Sequence, residues 1–271
     1  LRGPARRPAR KIARTTVGGD NPLTLGLVVL YLSLIVLIPL AAVAVKGVSS
    51  GLGSFWSSVT NTLSLRALGI TLLMSLIVAA IGAVMGTLVA WVLVRDRFPG
   101  QRLLGTLIDL PFALPSIVAG LTLVALYGPD SPVGINIAYT RGSTLLALMF
   151  VALPFGVRAV QPVLMELDLE AEEAAASLGA GSATIFRRIV LPALTPAIIS
   201  GAALAFARSV GEFGALALIA GKVPIASIVI FDDIESGDTQ SAAALSLVLM
   251  IISLVMLVAI RRTGGRVVGT H

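Results

Sequence analysis

Three groups of residues have types and spacings that can do chemistry. Arg208 and Glu212 stand four apart in an apolar run, so on a helix they share one face. An unpaired charge in such a run costs about 3 kcal/mol on insertion scales. Two readings follow: Glu212 neutralises Arg208 and the pair holds helices together, or the guanidinium offers bidentate hydrogen bonds to an anion passing by. Asp109, followed by Pro111 and Pro115, forms the second group. Prolines bend membrane helices, so Asp109 either caps amides freed by a kink, or the kink is a hinge that opens a path. A bare carboxylate repels anions, so Asp109 is not expected to bind one. The third group is a polar stretch that begins with Glu166, Asp168, Glu170, Glu172 and Glu173. It turns small and apolar through Ala174, Ala175, Ala176 and Leu178, then runs through Gly179-Ala180-Gly181 to Arg187-Arg188 and Ile189-Val190-Leu191-Pro192.

Other chemistries lack their residues. The chain has no cysteine, and its one histidine, His271, is the last of the 271 residues, so thiol, zinc and imidazole centres are excluded and no metal or cofactor is expected. A nucleotide-binding P-loop ends in Gly-Lys-Ser/Thr. The lysines are Lys11, Lys46 and Lys222, and only Lys222 follows glycine, with Val223 after it. The chain is therefore read as non-catalytic. The net charge of +6 does not suggest nucleic acid, because the basic residues sit at the ends of apolar runs.

Those runs are the elements that must position the three groups. The chain is 56% hydrophobic and 13% charged, with mean hydropathy +0.98, whereas soluble domains carry about a quarter charged residues. Continuous apolar runs of about 20 residues predict membrane-spanning helices rather than barrel strands. Six spans are expected, at about 23–45, 67–94, 103–127, 143–164, 190–220 and 239–260, in one all-α polytopic membrane domain over 23–260. A basic tail at 1–22, a loop at 165–189 and a tail at 261–271 complete the layout. The first run is 23 residues long with no small-residue cleavage site after it, which favours a retained helix over a signal peptide. With the amino terminus inside, fifteen of the twenty basic residues fall on the inner side, which predicts a multi-pass protein with both termini cytoplasmic. Phe55 and Trp56, in the polar stretch from Ser49 to Ser64, predict an outer interfacial helix.

The loop at 165–189 reads as a helix, a glycine turn and a second short helix, with Ser182 as its cap and Pro192 at the start of the next. By periodicity alone it is an amphipathic loop on the membrane surface. Its residues say more. Glu173-Ala174-Ala175, then three residues, Gly179, then nine residues, and Ile189-Val190-Leu191-Pro192 resemble the "EAA" motif of ATP-binding-cassette importer permeases. That resemblance implies a type I ABC importer permease fold, and a loop that docks on a cytoplasmic ATPase subunit and transmits its closure. Further stretches resemble permeases of the sulfate/thiosulfate importers of the T type: Asp109-Leu110-Pro111-Phe112-Ala113-Leu114-Pro115, Arg158 to Leu164, Ala207 to Gly214, and the tail Gly265 to Gly269. Molybdate permeases share the loop and the Gly-Glu-Phe-Gly stretch, while the Asp109 stretch and the tail favour sulfate. The resemblance implies ABC ATPase subunits, a second permease of the W type and an extracytoplasmic sulfate-binding protein as partners. A stand-alone secondary transporter would show an internal repeat, and the sequence has none. A purely structural membrane protein leaves the EAA spacing unexplained. The cluster Asp232, Asp233, Glu235 and Asp238 reads as a solvated outer loop or as a face toward the binding protein.

Overall fold

The computed structural model describes residues 22–265, and the charged tails at 1–21 and 266–271 lie outside the described residues. Of the described residues, those from Pro22 to Val43 form one compact unit and those from Ala44 form another. The first span is a helical run, Pro22–Val48, made of α1 (Pro22–Leu32), a π-helical turn at Ser33–Leu37 and α2 (Ile38–Val48). Its 27 residues suffice to cross a bilayer.

In the second unit, α3 (Leu52–Thr60) is a helix where the sequence predicts an interfacial one. Ser58 and Ser241 share a hydrogen bond of 3.0 Å, and Gln240 Nε2 donates to Ser54 Oγ at 3.0 Å, which pins α3 to the start of α13 (Thr239–Gly265). The second span, α4, runs Thr62–Arg95 and begins five residues before the expected start. The reason is a cap: the Asn61 side chain accepts from Ser64 N at 2.8 Å, so the helix extends into its polar first turn.

The third span is not one helix. α5 (Gln101–Ala113) and α6 (Ser116–Tyr127) meet at 114°. Leu114, the residue before Pro115, is extended, as the proline ring demands. Pro111 stays inside α5, so the break belongs to Pro115. α7 (Arg141–Met165) starts with a reciprocal capping box between Thr140 and Ser143. Arg158 lies well inside α7.

The fifth span also departs from expectation. α9 (Ser182–Ile185), a π-helical turn at Phe186–Val190 and α10 (Leu191–Val210) make one helical run, Ser182–Val210. Ser182 therefore opens that run without making a capping bond, and Pro192 lies within it rather than at a new start. The run stops at Val210 instead of continuing to 220. Gly211 to Phe213 break it, after which come α11 (Gly214–Ile219), α12 (Ala226–Glu235) and α13.

Small residues let the central helices touch. A Cβ on Gly86 of α4 would sit 2.8 Å from the Gly156 carbonyl carbon of α7, and one on Gly156 would sit 2.6 Å from Gly82 O. Between lipid-embedded helices such close backbone approach replaces the hydrophobic effect as the source of cohesion. Apolar side chains fill the remaining space: Leu93, Leu164, Val190 and Leu194 at one end of the bundle, and Met74, Leu148, Leu216 and Ile225 elsewhere in it.

Candidate functional site

α8 (Leu169–Ser177) and the start of α9 form a hairpin at the end of the bundle where α4 finishes. Asp168 caps α8 by accepting from Glu170 N at 2.9 Å, and the acids of the first turn face the positive end of the helix dipole. The helix ends in a Schellman turn: Gly179 N donates to Ala176 O at 2.9 Å, and Ala180 N to Ala175 O at 3.0 Å. Gly179 has φ +86°, where a side chain is strained, although the space around it is open.

The hairpin is largely exposed. α8 buries no residue, Glu173 and Ala174 are exposed, Ala175 is half-buried, and Leu178 at the tip is 89% exposed. Of the Ile189-Val190-Leu191-Pro192 stretch, Val190 is fully buried, Ile189 is half-buried, and Leu191 and Pro192 are exposed. Between the two arms lies a cleft of about 610 Å³, with Trp91 and Phe186 in its walls and Glu172 and Glu173 among its lining. Glu172 pairs with Arg95 at the end of α4; Arg95 also lies over the Trp91 ring, 5.4 Å from its centroid.

Of the two intramembrane groups, Arg208 and Glu212 pair with each other, one of the two arrangements the sequence suggests, whereas Asp109 meets a partner the sequence did not suggest. Asp109 does not cap freed amides. Arg158 holds it from α7, donating from Nε to Oδ1 at 2.7 Å and pairing through Nη2 with Oδ2. Arg158 Nη2 also donates to Gly105 O at 3.0 Å, and its Nη1 to Gln161 Oε1 at 2.5 Å. The guanidinium is thus committed within the chain, and Asp109 joins α5 to α7.

Arg208 Nη1 lies 2.5 Å from Glu212 Oε2, an ion pair in contact but without hydrogen-bond alignment. Glu212 is 1% exposed, and its other oxygen accepts from Ala215 N at 2.8 Å. Its backbone carbonyl accepts from Ser227 Oγ at 2.7 Å, so one residue ties together α10, α11 and α12. Arg208 keeps about a third of its side chain exposed.

The breaks in the third and fifth spans meet. A Cβ on Gly214 would clash with Ser116 Oγ, and one on Gly120 would sit 2.5 Å from Ala215 O. The Leu114-Pro115 bend and the Gly211-Glu212-Phe213-Gly214 turn therefore pack through glycines, and Phe213 leans on Phe231 of α12 at 4.9 Å. At the far end of α12, burial pushes Asp233 above the usual carboxylate range, with Asp238 and Asp232 adding to the effect. Asp238 is held below its ordinary value by Ser241, whose amide donates to it at 3.0 Å.

The sequence alone pairs neither Arg95 with Glu172 nor Arg158 with Asp109. The available signal was opposite charge at the ends of neighbouring spans, but spacing along the chain does not say which spans are neighbours.

A family model described as "Binding-protein-dependent transport system inner membrane component" matches residues 82–267. The chain is 41% identical over 264 residues to a sulfate transport system permease protein CysT of Synechocystis sp., covering 93% of this chain and 92% of the relative. It is 43% identical to the protein of the same description in Salmonella typhimurium, covering 91% and 95%. Among solved structures, a chain of a bacterial ABC transporter that imports the polysaccharide alginate superposes with a TM-score of 0.75 at 16% identity, covering 90% of this chain and 94% of that one. A chain of the MetNI methionine ABC transporter superposes with 0.61 at 22% identity, covering 75% and 95%. The fold is that of a type I ABC importer permease.

Proposed function

The chain belongs to the family of binding-protein-dependent transport system inner membrane components, and on that premise we propose that it is the membrane-spanning subunit of an ATP-driven importer of sulfate or thiosulfate. It forms half of the translocation path beside a second, W-type permease. An extracytoplasmic sulfate-binding protein delivers the anion, and a separate ATPase supplies the energy. Similarity to named sulfate permeases over more than nine-tenths of the chain supports the substrate.

The observation that carries the coupling role is the hairpin of α8 and α9: a helix that buries nothing, ends in a rigid glycine turn and presents Leu178 at its tip. An exposed apolar residue on a short, capped helix fits a groove on a partner, with Glu173 and Ala174 beside it as polar and close-packing contacts. Arg95, Arg187 and Arg188 lie at this same end of the bundle, consistent with a cytoplasmic location. Both termini are then cytoplasmic, because an even number of spans separates them.

The test is reconstitution of the two permeases, the ATPase and the binding protein in vesicles. ATP-dependent accumulation of radiolabelled sulfate, competed by thiosulfate and not by molybdate, is expected. Accumulation of molybdate alone would move the substrate to the other oxyanion, and sulfate uptake without the ATPase subunit would refute the importer class.

A further inference from the structure

α8 lacks what usually fixes a helix: it has no buried residue, and its two ends are a short bend after α7 and a glycine turn. Among the described residues, the polar side-chain contact that ties it to a membrane helix is the pair of Glu172 with Arg95. Both side chains are only 18% exposed. The Arg95 guanidinium is oriented by the Trp91 ring beneath it, and that ring packs edge-on against Phe186 at 5.5 Å. Phe186 opens the π-helical turn that joins the second arm of the hairpin to α10. Both arms therefore grip the last turn of α4, one through an ion pair and the other through a ring contact.

Glu172 and Glu173 divide the labour of the acidic helix. Glu173 is exposed and available to an outside partner, whereas Glu172 turns inward to Arg95. Arg95 Nε is buried without an acceptor, which leaves one donor for a different partner once the hairpin shifts.

We propose that the Arg95–Glu172 pair is a clasp that delivers displacement of the hairpin to α4, in parallel with the covalent route through α10. The consequence follows from packing. α4 and α7 touch backbone to backbone at Gly82, Gly86 and Gly156, so a pull on the end of α4 moves both helices as one body. Because Asp109 of α5 is clamped by Arg158 of α7, the displacement continues to the bent third span. Arg95 and Glu172 are positioning residues: they touch neither the anion nor ATP.

The inference rests on the importer reading, and its test is chosen so that the two can fail separately. In the purified pair of permeases, without ATPase or substrate, hydrogen exchange of residues 169–177 is compared for wild type, Arg95→Gln, Glu172→Gln and the reversal Arg95→Glu with Glu172→Arg. Loss of a half-buried ion pair predicts exchange about fivefold faster in either single variant, with the reversal recovering most of the protection. The same four proteins in the reconstituted complex are then scored for sulfate accumulated per ATP hydrolysed. The single variants should keep the ATPase bound and hydrolysing while that ratio falls about fivefold, and the reversal should restore it. Unchanged exchange in both single variants overturns the clasp whatever the transport result. Faster exchange with an unchanged ratio also overturns it, by leaving the pair a local brace. A wild-type complex that transports nothing refutes the importer reading alone, since exchange still reports on the clasp.

Discussion

The exposed hairpin and the break in the middle of the bundle use charge in opposite ways. In the hairpin, three acids, Glu170, Glu172 and Glu173, lie on a helix that buries nothing; one of them, Glu172, is engaged by Arg95 across the fold, and an apolar tip residue is left open. In the break, Glu212 is fully buried, paired with Arg208 and bonded to the start of α11, and glycines bring backbones into contact around it. A region whose groups are satisfied within the chain is built to be held, while a region with unspent contacts suits the docking role proposed for the hairpin. Residue type does not separate the two: each holds glutamates, glycines and small residues. Partnership does.

The sharpest way to break the contrast is to strand the buried charge. Arg208→Met leaves Glu212 desolvated without its cation, a loss of about 3 kcal/mol, and Glu212→Gln disturbs the same node less because Arg208 is partly exposed. Yield of assembled permease should fall for both single variants, and the double variant should recover much of it. Normal assembly of Arg208→Met with lost sulfate uptake would instead make the arginine a guide for the anion and erase the distinction between the regions.

The hairpin should respond the other way, with folding spared and partnership lost. Leu178→Asp removes an exposed anchor and should weaken retention of the ATPase by about 30-fold, from about 2 kcal/mol for an interface hot spot, with unchanged yield of the permease pair. Gly179→Trp strains the turn at φ +86° and should impair uptake while leaving membrane insertion intact. Unaltered uptake in Gly179→Trp would remove the docking role from this loop.

A smaller effect belongs to the acidic end of α12, which sits between the two extremes. Asp233 is shifted upward in the folded protein, so the fold favours its protonated form. That contribution is present below the ordinary carboxyl value of about 3.9 and is lost as pH rises through the raised one. Asp233→Asn should therefore raise thermal stability slightly at neutral pH and lose that advantage in acid, as read from melting curves at several pH values.

The fold was legible where periodicity and length govern. Runs of apolar residues bounded by arginine gave the spans, and the EAA spacing gave the hairpin, because both are local patterns. Interruptions were harder to read. Pro115 and Gly211 appeared in the sequence as features of continuous helices, yet they separate α5 from α6 and α10 from α11; a proline or glycine in a membrane helix produces a kink or a full break according to what packs against it. Here the two breaks support each other through Gly120 and Gly214, a fact that exists only once α6 and α11 are neighbours. The ion pair of Asp109 was hidden for the same reason, since its partner Arg158 is 49 residues away in the chain. The early start of α4, by contrast, was available locally in Asn61 and Ser64.

The chain contains no cysteine, so single cysteines report without background. Maleimide labelling of Leu178→Cys and Ala215→Cys, in inside-out vesicles with and without the ATPase subunit, tests the central claim directly. Leu178 is 89% exposed and Ala215 fully buried, so Leu178→Cys should label rapidly from the cytoplasmic face and be protected at least about tenfold when the ATPase binds, while Ala215→Cys stays unreactive in both conditions. Equal labelling of Leu178→Cys with and without bound ATPase would contradict the assignment of the hairpin as the coupling surface.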